Sequence, residues 1–134
     1  MPSLLEEKDA IRDLLAEYCF RIDNDRFADM AALFSEDGTW DTAFGKATGR
    51  AGIEALLRGI AARAPTRPRR IHSVANVVIR VDGDKAQVQS NWVVTQNSEQ
   101  GPKIGSAGGY ADELVKQGGR WLFKYRKIDR YIHD

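Results

Sequence analysis

The hydrophobic pattern of this chain changes period for good at an Arg- and Pro-rich stretch around residues 63–70. Before it, apolar residues recur every third or fourth position, the spacing of one helix face. After it they alternate, the spacing of a strand with one side buried. Helices first and strands afterwards exclude an alternating βαβ layout. They predict an α+β fold, with three N-terminal helices packed on one face of a strongly curved, mainly antiparallel sheet. A wrapped sheet closed by helices encloses a pocket between the layers, which is where ligands bind.

The first helix opens at Ser3, with Glu6 completing a capping box, and carries Ile11, Leu14, Leu15, Tyr18 and Ile22 on one stripe. It ends around RIDND. A second, shorter helix is expected from Asn24 or Asp25 through Phe34, with Asp25 as its N-cap and SEDG as its stop. TWDTAFGKATG reads as a strand or short hairpin turning at Gly45-Lys46, with Trp40, Thr42 and Phe44 on one face. A third helix covers Arg50 to Arg63, with Ile53, Leu56, Leu57 and Ile60 at helical spacing. Strands over 69–81 and 84–96 meet at the Asp-Gly turn of VDGDK. A third runs from about Lys103 to Lys116, and QGGR turns into a fourth, WLFKYRKIDRYI. The 134 residues are expected to form a single domain.

Charge and cysteine content remove several function classes. Twenty Lys and Arg against nineteen Asp and Glu leave a net charge of +1, too balanced for a nucleic-acid binder that works by neutralising phosphates. Pro65 and Pro68 punctuate the Arg63, Arg67, Arg69, Arg70 cluster, which reads as a solvated loop rather than an anionic ligand site. The lone Cys19 excludes an internal disulfide or a cysteine-based zinc site, and two histidines give no metal cluster. No run is long enough to span a bilayer, and MPSLLEEKDAIRD has no apolar signal core. A soluble, cytoplasmic protein is the expectation.

RRIHSVANVVI puts one of the two histidines in a strand predicted to be buried on both sides, with His72, Val74, Asn76 and Val78 on one face. A buried imidazole needs a partner. Asp23 is the candidate, because a carboxylate at a helix C-terminus opposes the helix dipole and itself calls for compensation. Paired with Asp23, His72 would be a general base; alone, it reads as a satisfied core residue. Tyr18 is placed to donate into a cavity, Trp40, Phe44 and Leu57 form a candidate wall, and Asn76 and Tyr110 are candidate polar contacts. Asp112 and Arg126 lie on neighbouring strands. They make either a cross-strand ion pair or an arginine that faces substrate.

IRDLLAEYCFRIDNDRFADMAALFSEDGTWD, GRAGIEALL, RRIHSVANVVI and GGYADELVKQGGRWLFKYRKI together resemble the SnoaL-like branch of the nuclear transport factor 2-like superfamily, over nearly the whole chain. The resemblance implies a cone-shaped α+β barrel around a deep, mostly apolar pocket. Members include polyketide cyclases, scytalone dehydratase, hexachlorocyclohexane dehydrochlorinase, steroid isomerases, small subunits of ring-hydroxylating dioxygenases and non-enzymatic proteins. The dehydratase and dehydrochlorinase group uses a histidine base oriented by an aspartate, and the matching positions here are His72 and Asp23. Trp40 and Arg126 match the dehydrochlorinase's pocket tryptophan and arginine. Tyr18 departs, since the dehydrochlorinase has a lysine there, and the scytalone enzyme's further histidine and tyrosine donors have no counterparts.

The resemblance thus implies a cofactor-independent lyase, isomerase or cyclase acting on a small hydrophobic, cyclic or polyketide-like molecule. Two other readings stay open: a module that binds such a molecule without converting it, and a partner subunit like that of the dioxygenases. The alternation in AQVQSNWVV leaves room for a homodimer, or a higher homo-oligomer, through the sheet.

Overall fold

In the computed structural model, which describes residues 1–134, Ser3 opens α1 (Leu4–Asp23) with the expected capping box. Its Oγ accepts the Glu6 N–H at 3.1 Å, while the Glu6 carboxylate accepts the Ser3 N–H at 3.2 Å. The stripe from Ile11 to Ile22 is buried. After α1 come α2 (Phe27–Ala31), β1 (Phe34–Thr42), β2 (Gly45–Thr48), α3 (Arg50–Ala62), β3 (Arg70–Asp82), β4 (Lys85–Ser98), β5 (Gly101–Gln117) and β6 (Arg120–Ile132).

All six strands join one sheet in the order β2-β1-β6-β5-β4-β3. Every pairing is antiparallel except β1 with β6. β2 and β3 stay unpaired to each other, so the sheet curves without closing, and the helices pack against it. Irregularities in register along β3, β4, β5 and β6 supply bend, because each extra residue turns the strand that carries it. No helix is long and apolar enough to cross a membrane.

Four expectations are corrected. First, α2 is only five residues long. Phe34 begins β1 and SEDG runs inside that strand rather than stopping a helix. The cause is distant in sequence: the Phe123 N–H donates to the Leu33 carbonyl, and the Phe34 and Phe123 rings lie 5.2 Å apart, both fully buried. This non-local pairing overrides helix propensity.

Second, Asp25 is not a cap. It adopts a left-handed backbone (φ 56°) and its carboxylate contacts Arg67, while Arg26 occupies the N-cap position without a side-chain capping hydrogen bond. Third, the hairpin turns at Ala43-Phe44, and Gly45 already pairs with Thr42. Fourth, β3 lies at the edge of the sheet with its outer residues exposed, and it bulges between Ala75 and Val78, where Asn76 takes φ 55°. One extra residue moves every later side chain to the other face. His72, Val74, Val77 and Ile79 thus look inward, whereas Asn76 and Val78 look outward.

At Gly108 the backbones of β5 and β6 approach closely. A Cβ there would lie 1.8 Å from the Asp129 carbonyl oxygen and 2.9 Å from the Trp92 ring. Gly108→Ala is expected to lose stability at the upper end of the overpacking range, about 3 kcal/mol, in urea denaturation.

Candidate active site

Asp23 is the last residue of α1, and its side chain turns toward the start of β3. One carboxylate oxygen lies 2.5 Å from His72 Nδ1, and the other accepts the His72 backbone N–H at 2.8 Å. Both oxygens are thereby used on a single residue. This supplies the compensation that a carboxylate at the negative end of a helix requires. An ionised carboxylate only accepts, so Nδ1 carries hydrogen and the lone pair of the neutral ring is on Nε2. The Asp23 and His72 side chains are 7% and 14% exposed, buried enough for the contact to resist competition from water.

His72 lines a cavity of about 250 Å³ whose 20 lining residues include 13 hydrophobic ones. Of the residues singled out from the sequence, Tyr18, Trp40, Phe44, Leu57 and Tyr110 also line it. Trp40, on β1, donates its indole N–H to the Tyr18 hydroxyl at 3.0 Å. The Tyr18 oxygen therefore already accepts one bond, and its own hydrogen is free to donate. Burial pushes the Tyr18 phenol up to about 12, against the pull of the Arg126 charge. It thus remains protonated, and so a donor, at neutral pH.

Arg126 and Asn76 do not line the cavity. Asn76 faces the outer side of the sheet, where it donates to Asn91 Oδ1 at 2.9 Å. That corrects the expectation that it shares the face of His72; the bulge is the reason. Arg126 lies beneath the floor. Its guanidinium carbon is 4.1, 3.5 and 4.5 Å from the ring centres of Tyr18, Tyr110 and Phe123. Asp112 sits directly opposite it in register, with Nε and Oδ1 3.0 Å apart and both side chains fully buried. The approach is an ion contact without an aligned hydrogen bond, so both groups keep unfilled hydrogen-bonding capacity. Of the two readings of this pair, the cross-strand ion pair is the one the geometry contains.

Trp92 is a cavity residue not expected from the sequence; its ring centre lies 6.3 Å from that of His72 and 6.0 Å from that of Tyr110. A signal was present: Ala86, Val88, Ser90, Trp92 and Val94 alternate along β4 and all are buried. Arg67, Arg70 and Arg130 are likewise cavity residues not expected from the sequence. They lie on its lining, so the Arg/Pro stretch is not simply a solvated loop.

A model of the SnoaL-like domain matches residues 3–127. Among solved structures, a protein of unknown function from Mycobacterium tuberculosis is 34% identical with a TM-score of 0.82; the alignment covers 93% of this chain and 72% of that one. A provisionally named scytalone dehydratase from Novosphingobium aromaticivorans is 30% identical with a TM-score of 0.78, covering 96% and 86%. A nuclear-transport-factor-2-like protein with a cystatin-like fold, also from Novosphingobium aromaticivorans, is 26% identical with a TM-score of 0.84, covering 93% and 82%. No curated protein matches the sequence.

Proposed function

This chain belongs to the SnoaL-like domain family, and we propose that it is a cofactor-independent enzyme of that family's dehydratase-like branch, in which His72 acts as a general base held by Asp23. The substrate is a small, largely apolar, cyclic molecule with an acidic C–H bond. The observation that carries the reading is the two-point contact from Asp23 to His72 at the wall of an apolar cavity. A carboxylate that grips both the ring and the backbone of one histidine fixes its tautomer and its direction, as a base must be fixed.

In the proposed step His72 Nε2 takes the proton. The C–H electron pair then moves into a new double bond. Either a β-leaving group departs with its own bonding pair, or the charge resides on a neighbouring carbonyl oxygen until a proton returns elsewhere. Tyr18 donates to the developing anion, a role its protonated, Trp40-oriented hydroxyl suits. The imidazolium formed returns its proton to the leaving group or to carbon, so the cycle closes without a redox step. Trp40 and Trp92 keep the ring in a dry environment, where such interactions are strengthened. The likeness to the provisionally named scytalone dehydratase supports elimination within this scheme.

The test uses a panel of cyclic β-hydroxy ketones in deuterated water, followed by mass spectrometry. Loss of water, or uptake of solvent deuterium at carbon, is expected with the native protein and is expected to vanish in His72→Ala. Compounds that bind in the cavity and come back unchanged and undeuterated would make it a binding module.

A further inference from the structure

Three arginines line the cavity, and no aspartate or glutamate does. In a chain with a net charge of +1 this is not a bulk excess of positive charge but a local one. The strand register places the arginines. Arg70 sits opposite Gln96, Ser106 opposite Val94, and Arg130 opposite Gly108. Arg70 and Gln96 thus lie at the start of β3 and near the end of β4, and Arg130 lies near the end of β6, three strands across the curved sheet, beside Phe44, which is 52% exposed.

The three charges are not equally available. Arg67 contacts Asp25 and is thereby neutralised. Arg70 is only loosely held: its Nη2 lies 3.3 Å from the Ile22 carbonyl oxygen and 4.0 Å from Asp25. Burial, followed by the neighbouring Arg67 charge, pushes its pKa below the ordinary arginine value, against the pull of Asp23 and Asp25. Arg130 stacks over the Phe44 ring, 5.0 Å from its centre, with its charge directed to no carboxylate. Gln96 and Ser106 add uncharged hydrogen-bonding groups to the lining.

We propose that the cavity takes an apolar ring bearing a carboxylate, with the ring against Trp40 and Trp92 and the carboxylate on Arg70 and Arg130 at the rim. This deepens the reading of the cavity as the substrate site and rests on it. Arg70 and His72 are two residues apart on one face of β3, about 7 Å along the strand. A ring of one or two cycles spans that distance, so an anchored carboxylate brings the far side of the ring to the base. Guanidinium is suited to the task, because its planar fork meets both carboxylate oxygens.

The probe is 2-naphthoate, compared with its neutral isostere 2-naphthamide, with binding followed by calorimetry and by quenching of tryptophan fluorescence. In native protein at low salt the carboxylate is expected to bind at least about tenfold more tightly than the amide. The preference should shrink toward unity in Arg130→Gln with Arg70→Gln, and should weaken in the native protein as salt rises. The salt arm stands even if the double variant folds poorly. The same preference is expected in His72→Ala, where no turnover occurs, so the anion site and the base fail separately. Equal affinity for the two probes, or binding of neither, would overturn the carboxylate proposal. Catalysis measured with uncharged ketones would be untouched by that result.

Discussion

Arg126→Met is expected to lower the unfolding free energy by about 3–5 kcal/mol at neutral pH, and adding Asp112→Leu to it should restore most of the loss. Both side chains are fully buried. Burial works against the Arg126 cation, but its pKa is raised, with the charge of Asp112 the largest influence opposing burial. Removing the arginine leaves a carboxylate in an apolar layer with no counter-charge. Removing both leaves only well-shaped apolar surface. Burial pushes the Asp112 carboxyl up to about 6, against the pull of Arg126; without that pull it must rise further. The sign follows from linkage. A carboxyl whose folded pKa exceeds its free value contributes stability that is complete below about pH 4 and lost as pH climbs through the folded value. The native protein therefore loses Asp112's contribution as pH rises from about 4, near the free carboxyl value, to about 6, whereas Arg126→Met goes on losing it at higher pH. The gap between the two, measured by guanidinium denaturation across this range, should widen with rising pH. In acid it should shrink to the part due to lost aromatic packing. A gap of constant size would mean that Asp112 is not the group Arg126 compensates.

The sequence was legible where structure follows from local period and opaque where distant pairing or a single extra residue decides. The change from helical spacing to alternation sufficed for α1, α3, the four long strands and the turns between those strands, because each pattern is repeated enough to be unambiguous. Phe34 belongs to a strand only because β6 arrives alongside it from 89 positions later in register, which no local window contains. Asn76 was assigned the face of His72 by strict alternation, and the bulge at Ala75–Val78 adds the one residue that moves it outward. The Asp23–His72 contact was legible because each residue posed a physical problem that the other solves: a carboxylate at the wrong end of a helix and an imidazole in an apolar strand. Arg70 and Arg130 were opaque for the opposite reason. A surface arginine needs no partner, so nothing local marks those that turn toward a cavity.

Asp23→Asn is expected to cut turnover by about 10²–10⁴-fold while the protein stays folded. The reason lies in counting donors and acceptors. The His72 backbone N–H and the ring Nδ1–H both donate, and the two oxygens of Asp23 accept them. Asparagine has one accepting oxygen and one donating nitrogen, so it cannot serve two donors at once. The arrangement that satisfies every group keeps the oxygen on the backbone N–H and turns the amide N–H₂ toward Nδ1. Nδ1 must then accept, and the ring hydrogen moves to Nε2. That change removes the lone pair from the nitrogen proposed to take the substrate proton, although no atom has moved far. Asp23→Ala imposes no tautomer and is expected to retain more activity than Asp23→Asn despite losing more contacts. A structural role alone would rank the two the other way. Ring nitrogen resonances of ¹⁵N-labelled protein report the tautomer directly in alkaline buffer, where an ordinary imidazole is neutral. With only two histidines in the chain, and His133 close to the C-terminus and exposed, the assignment is simple. Native protein should show hydrogen on Nδ1 of His72, and Asp23→Asn should show it on Nε2. If Asp23→Asn keeps full turnover with hydrogen on Nε2, His72 is not the base.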